Sequence, residues 1–278
     1  METFVPSRFP LLSCEQTTPP GHRTKAGQSG DLKDTTTENK AERILIAGGS
    51  SGMGLALAGL LLSEGAEVTI VGRSQARLDA AGASLGNPSL LRLAVADIAR
   101  EDEVSRLFAD AGRLDHIVST AADIGASYRL LPDLDLAEAR RVVDSKFFGP
   151  LLLAKHGVPV LSRTGSITFT SGINAYRPAA RGSVTAAMNG ALASLVRALA
   201  VELGPIRVNA VSPGWVDTPI WQQVAGDTRA ATLDAMAARL PVGRIGRPED
   251  IADAIRFLMR NGFVSGTVLH AEGGHRLV

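Results

Sequence analysis

Three glycines carry the first chemical signal. Gly48, Gly52 and Gly54 lie in Ala47-Gly48-Gly49-Ser50-Ser51-Gly52-Met53-Gly54, after the apolar run Arg43–Ala47 and at the head of a helical pattern. Glycines at such a turn let the backbone bend tightly and approach a pyrophosphate, which rests on the free N–H groups of the helix N-terminus. An ordinary strand–helix turn would look the same in isolation, but the strand before it and the helix after it favour dinucleotide binding. The second β-rich run ends in Gly72-Arg73-Ser74. A carboxylate there would bond a bare ribose 2′-hydroxyl and repel a 2′-phosphate. None stands there, and the Arg73 guanidinium offers a fixed fork of donors that suits phosphate. Ser50 can add a hydroxyl. NADP is therefore the expected cofactor and NAD the less favoured one; a solvated surface arginine is the plain alternative for Arg73.

These residues need a frame. Runs at 43–47, 67–71, 90–95, 116–119, 166–169, 207–211 and 267–271 read as strands. Their near-continuous apolar character fits a sheet covered on both faces. Helical stretches lie between them, among them Gly52–Ser63, Glu138–Leu161, Ala179–Leu203 and Pro248–Arg260. Gly204-Pro205 would end one helix with a left-handed residue and a breaker. Pro248, Glu249 and Asp250 would open another. Repeated strand–helix–strand units imply parallel pairing through right-handed crossovers, hence a doubly wound α/β sheet of seven strands. The expectation is one domain over 41–278. Residues 1–40, with four prolines and no apolar period, read as a disordered tail.

Composition narrows the function. The chain has 278 residues and a formal net charge of +1, with no basic block, which argues against nucleic acid or an acidic membrane as partner. The longest apolar run, near Ala56 to Leu62, falls short of the ~20 residues of a membrane span. Five histidines lack paired ligand spacing, so no metal is expected. The lone Cys14 excludes an internal disulfide and suits a reducing compartment, so the expected location is the cytoplasm.

The G-x-x-x-G-x-G spacing of Gly48, Gly52 and Gly54 resembles the short-chain dehydrogenase/reductase family, and further likenesses run from about Arg43 to Val278. They include Ala96-Asp97 after the third strand, Ser119-Thr120-Ala121-Ala122 after the fourth, and Ile206-Arg207-Val208-Asn209-Ala210-Val211-Ser212-Pro213-Gly214 at the sixth. The resemblance implies a Rossmann-like fold, a nicotinamide cofactor, a small-molecule substrate, and a helix-mediated homodimer or homotetramer. It places the cofactor against Gly48, Ser50, Ser51, Gly52, Met53, Gly54, Arg73, Asp97, Ile98, Ala121, Ala122, Pro213, Gly214, Val216 and Thr218.

The catalytic positions depart from the family pattern. Its members use a Ser–Tyr–Lys set, with Tyr and Lys at YxxxK, plus an Asn on the preceding long helix. The frame Gly190-Ala191-Leu192, Leu195, Arg197, Leu199-Ala200 and Glu202-Leu203 is kept. Counting back along it puts Thr185 at the Tyr place and Asn189 at the Lys place. Ser171 stands where the family holds the substrate oxygen, and Lys146 stands at the Asn place. Lys and Asn are thus exchanged, either as a working swap or through independent drift. Threonine is a poor proton donor beside a phenol, whose pKa is ~10. Tyr176, near Ser171, is the leading substitute acid, with an aromatic pocket wall as its plain reading. Tyr128, on another loop, stands behind it. Trp215 and Trp221 suggest an apolar or ring-containing ligand. For Leu233, Met236 and Leu240, lid-helix packing is the simpler expectation. The leading reading is a reductase or dehydrogenase with an atypical active site. The alternatives are a cofactor-binding sensor or subunit without turnover, and a non-redox isomerase or cyclase.

Overall fold

The computed structural model describes residues 41–124 and 127–278, so the tail expected over 1–40 lies outside the described residues. The strands are β1 (Arg43–Ala47), β2 (Glu67–Gly72), β3 (Leu91–Val95), β4 (Leu114–Ser119), β5 (Leu161–Thr170), β6 (Arg207–Pro213) and β7 (Val268–Ala271). They form one all-parallel sheet in the order β3-β2-β1-β4-β5-β6-β7. The order reverses between β1 and β4, and the crevice at the carboxyl ends of those strands is where an open α/β sheet takes a ligand. The helices are α1 (Gly52–Ser63), α2 (Gln75–Ser84), α3 (Glu101–Ala111), α4 (Leu136–Val143), α5 (Gly149–Gly157), α6 (Ser183–Glu202), α7 (Ile220–Ala225), α8 (Arg229–Ala237) and α9 (Pro248–Arg260).

Each face of the sheet buries its own core. Leu45, Ile117, Phe169 and Val208 meet Val104 and Phe108 of α3, Leu153 of α5, and Leu192 and Val196 of α6. Ile44, Ile46, Val68 and Ile70 meet Leu57 and Leu61 of α1 and Ile255 and Leu258 of α9. Alternate residues of β1 thus face opposite layers, which is why its sequence shows no in–out alternation.

Four expectations are corrected. Leu93 and Val95 of β3 are exposed, because β3 is an edge strand and not a doubly covered one. The helix expected over Glu138–Leu161 is broken: α4 runs into a π turn, Asp144–Phe148, before α5, and Leu161 opens β5. Pro150 has no N–H for the Lys146 carbonyl and its ring crowds that carbonyl, so the helix widens there. The helix expected from Ala179 begins at Ser183, since Arg181 takes φ 69°. Gly204 is not left-handed; α6 closes through Leu203 N–H donating to the Leu199 carbonyl, and the Gly204–Pro205 bond is cis.

Helix α6 also qualifies the membrane argument. It is 20 residues long and its most apolar 18 residues have a mean hydropathy of 1.5, enough to cross a bilayer on length and composition alone. Here its buried face packs against the sheet through Leu192, Val196 and Leu199.

Candidate active site and cofactor cradle

The glycine turn is built so that a side chain would spoil it. Gly48 and Gly52 take φ of +85° and +53°, in the region that favours glycine. A Cβ on Gly54 would stand 2.4 Å from the Gly48 carbonyl oxygen, and one on Gly48 would stand 2.6 Å from the Ala121 nitrogen. The Gly48 N–H donates to Val71 O at 2.9 Å, and the Thr120 hydroxyl lies 3.3 Å from Ala47 O and 3.2 Å from Gly48 O. Helix α1 starts without a side-chain cap at Ser51 and without an acid in its first turn. Its amide donors and positive dipole end are left for an anion, so the cradle fits a pyrophosphate.

The other candidate cofactor residues gather at the same edge of the sheet. Thr218 faces Gly52, where a Cβ would meet its Cγ2 at 3.3 Å. Pro213 ends β6, Gly214 abuts Glu272, and Val216 is buried beside Gly246. Asp97 Oδ1 accepts the Ala99 N–H at 3.0 Å, and Ile98 is buried against Gly149, under the π turn. Ser50 Oγ would lie 3.6 Å from a Cβ on Gly72. Arg73 is exposed and pairs with Asp123 at 3.0 Å. That carboxylate, reaching back from the loop after β4, had no local signal in the sequence.

A buried polar cluster stands at the end of β5. Lys146, on the π turn, donates from Nζ to Thr170 O at 3.0 Å and Ser171 O at 3.2 Å. Burial alone pushes its ammonium down to about 8. Ser171 Oγ donates to Asn189 O at 3.1 Å, and Thr185 Oγ1 donates to Gly182 O at 3.0 Å. Thr185 and Asn189 lie one turn apart on the buried face of α6. The amide oxygen Oδ1 of Asn189 is buried without a hydrogen-bond partner. Ser171, Lys146, Thr185 and Asn189 are thus brought together, although no hydrogen bond joins Lys146 to the Asn189 side chain among the described residues.

Tyr176 stands apart from that cluster: it is 42% exposed and its ring meets His270 edge-on at 4.3 Å. Asn174 and Tyr128 do join it. Asn174 Nδ2 lies 3.4 Å from both the Tyr128 hydroxyl and Thr185 Oγ1. Asn174 was not singled out in the sequence, because an amide in a turn carries no motif. Trp215 and Trp221 stack at 4.4 Å, and Trp221 Nε1 donates to Val216 O at 2.8 Å. Leu233, Met236 and Leu240 are buried, as lid packing requires. Among the described residues no group of three or more His, Cys, Asp or Glu could hold a metal ion.

A family model described as enoyl-(acyl carrier protein) reductase matches residues 47–276. The short-chain dehydrogenase/reductase malC of Malbranchea aurantiaca is 33% identical over 250 residues, covering 84% of this chain and 94% of that protein. The chain belongs to the short-chain dehydrogenase/reductase family. A second member, cis-4-hydroxycyclohexanecarboxylate dehydrogenase of Sinomonas cyclohexanicum, is 37% identical over 250 residues, covering 86% of this chain and 98% of its own. Among solved structures, the MalC reductase/Diels-Alderase from Malbranchea aurantiaca superposes with a TM-score of 0.79 at 33% identity, covering 86% of this chain and 97% of its own. A small-chain dehydrogenase in complex with NADPH gives 0.72 at 33% identity, covering 86% of this chain and 100% of its own. As a short-chain dehydrogenase/reductase, the protein is an oxidoreductase with a nicotinamide cofactor and a small-molecule substrate.

Proposed function

We propose that this oxidoreductase uses NADP and moves hydride between the nicotinamide and a carbonyl or alcohol carbon of a small, apolar or ring-containing molecule. The observation that carries the reading is the buried Ser171–Lys146–Asn189–Thr185 cluster at the end of β5, two strands from the glycine cradle that follows β1. When bound, the cofactor supplies or accepts the hydride. Ser171 can turn its hydroxyl from the Asn189 carbonyl to a substrate oxygen. The Lys146 cation, fixed behind the Ser171 backbone, favours negative charge developing on that oxygen. The unpartnered Asn189 Oδ1 can accept from a water or a carboxamide. The Trp215–Trp221 stack offers an apolar wall for a ring. Arg73, with no acid at Gly72 before it and Ser50 facing Gly72, supports NADP over NAD; a 2′-phosphate would compete with Asp123 for the guanidinium.

In the same reading the protein works as a dimer or tetramer in the cytoplasm. Helix α6 supports the assembly: it is apolar, yet only 33% of its most apolar stretch is buried in the single chain.

Calorimetry with NADPH and NADH, followed by a carbonyl panel read by NADPH absorbance, tests the reading. Tighter NADPH binding and its oxidation are expected. A second reading, a non-redox cyclisation or isomerisation in the same pocket, is favoured by the likeness to a structure described as a reductase/Diels-Alderase. Substrate turnover with bound but unconsumed NADPH would decide for it.

A further inference from the structure

Reduction of a carbonyl leaves an alkoxide, and some group near Ser171 must give it a proton. The groups within the buried cluster are few. The Thr185 hydroxyl already donates to Gly182 O, and an aliphatic alcohol is too weak an acid for the task. Lys146 spends two of its three N–H donors on the carbonyls of Thr170 and Ser171. Tyr176 lies on the exposed side, against His270. The remaining phenol is Tyr128. It enters from the loop after β4, far from Thr185 in sequence, and its hydroxyl reaches the cluster through Asn174, whose Nδ2 bridges it to Thr185 at 3.4 Å on each side.

We propose that Tyr128 is the proton donor to the substrate oxygen in the reductive direction, an inference that rests on the redox reading above. The carbonyl carbon takes hydride from the reduced nicotinamide, and the C=O π pair moves onto oxygen. The Tyr128 O–H bond breaks as the alcohol O–H bond forms, and the phenolate left behind takes a proton from water. Asn174 Nδ2 is placed to donate to that phenolate, and the Thr185 hydroxyl can turn its proton from Gly182 O to the same oxygen. Burial raises the Tyr128 pKa, and the smaller hydrogen-bond effects of Thr185 and Asn174 lower it; no charged side chain contributes. The phenol therefore stays protonated at neutral pH. That suits an acid for reduction and not a base for alcohol oxidation.

Tyr128 and Tyr176 are the two tyrosines of the chain, which makes the test clean. Tyr128→Phe should lower kcat by ~10²–10⁴-fold, the range of a lost general acid, with NADPH affinity and Tm unchanged. Carbon NMR of tyrosine Cζ, assigned through Tyr176→Phe, gives a readout that needs no turnover. A phenol at the reacting carbon should ionise at lower pH with NADP⁺ bound than with NADPH, because the positive nicotinamide favours the phenolate. Unchanged kcat in Tyr128→Phe, or one titration curve with both cofactor forms, overturns the proposal. A loss confined to Tyr176→Phe or Lys146→Met transfers the role to that residue and overturns it equally. Failure of the redox reading shows separately, as wild-type protein that binds NADPH and oxidises none of it with any carbonyl. The titration then still decides whether Tyr128 stands at the nicotinamide.

Discussion

Burial holds the Lys146 ammonium at about 8, against an ordinary 10.5, so its charge is a cost that the fold carries. Below about pH 8 both folded and unfolded chains keep this proton, and the group gives stability no pH dependence. Between about 8 and 10.5 the unfolded chain binds more protons, so this group makes stability rise with pH. Urea midpoints of wild type and Lys146→Met should show that rise in the wild type alone; parallel curves would mean that Lys146 is solvated. A second test at this scale concerns the cofactor. A Cβ on Gly72 would meet Leu78 at 3.5 Å and Ser50 at 3.6 Å, ordinary contacts, so Gly72→Asp fits without strain. Combined with Arg73→Gln, it should turn calorimetric preference from NADPH to NADH by at least tenfold, since a carboxylate repels the 2′-phosphate and bonds the bare hydroxyl. NADH already preferred by the wild type would refute the basis of that assignment.

At the scale of elements, the helices that flank the cradle rest on local chemistry. Helix α9 opens with Pro248 at its first turn and Asp250 in a capping box, where the carboxylate accepts the Arg247 N–H at 2.6 Å. Asp250 also meets Arg244 at 2.6 and 2.8 Å, and chiefly that hydrogen bonding holds its carboxyl down at about 2. Asp250→Ala should cost about 1 kcal/mol, mostly through the lost cap, since an exposed ion pair adds little. The stabilisation is present above about pH 4 and fades as pH falls toward 2, the direction expected of a carboxylate with a depressed folded pKa. Because Ile255 and Leu258 of α9 pack in one core with Leu57 and Leu61 of α1, weakening α9 also loosens the helix that presents the phosphate cradle. Guanidinium titration of the variant with and without NADPH would show both effects; an unchanged midpoint would show that the cap is dispensable.

At the scale of the whole molecule, the seven strands and two cores of the described residues lie within 41–278. Because the sequence of residues 1–40 carries no core-forming apolar period, a chain starting near Lys40 should keep its Tm and NADPH affinity, and a fall of several degrees on truncation would show otherwise. Helix α6 bears on assembly. A Cβ on Gly190 would meet nothing within 4 Å in the single chain, so Gly190→Trp should leave the isolated fold intact. If copies associate through that face, the same change should convert a dimer or tetramer to monomer by light scattering. An oligomer untouched by it must use another surface.

Much of the fold was legible because its signals are short-range. A turn needing three glycines, β-rich runs buried on both faces and a helix opened by Pro and Asp all write themselves into a few consecutive residues. The family spacing likewise pointed to Ser171, Lys146, Thr185 and Asn189, which the fold buries together. What the chain could not show locally is how distant groups meet. Arg73 finds Asp123 50 residues away, and Asn174 finds Tyr128 46 residues away. Lys146 reaches the Ser171 carbonyl across 25 residues, because Pro150 widens the helix into a π turn above Ile98. The edge position of β3 follows from strand order, which no single strand encodes. Sequence alone determined the sheet, the glycine turn and the expectation that Thr185 and Asn189 stand at the family's Tyr and Lys places. Only the tertiary structure decided that Asn174 stands between Tyr128 and Thr185, since that contact joins residues after β4 to residues after β5.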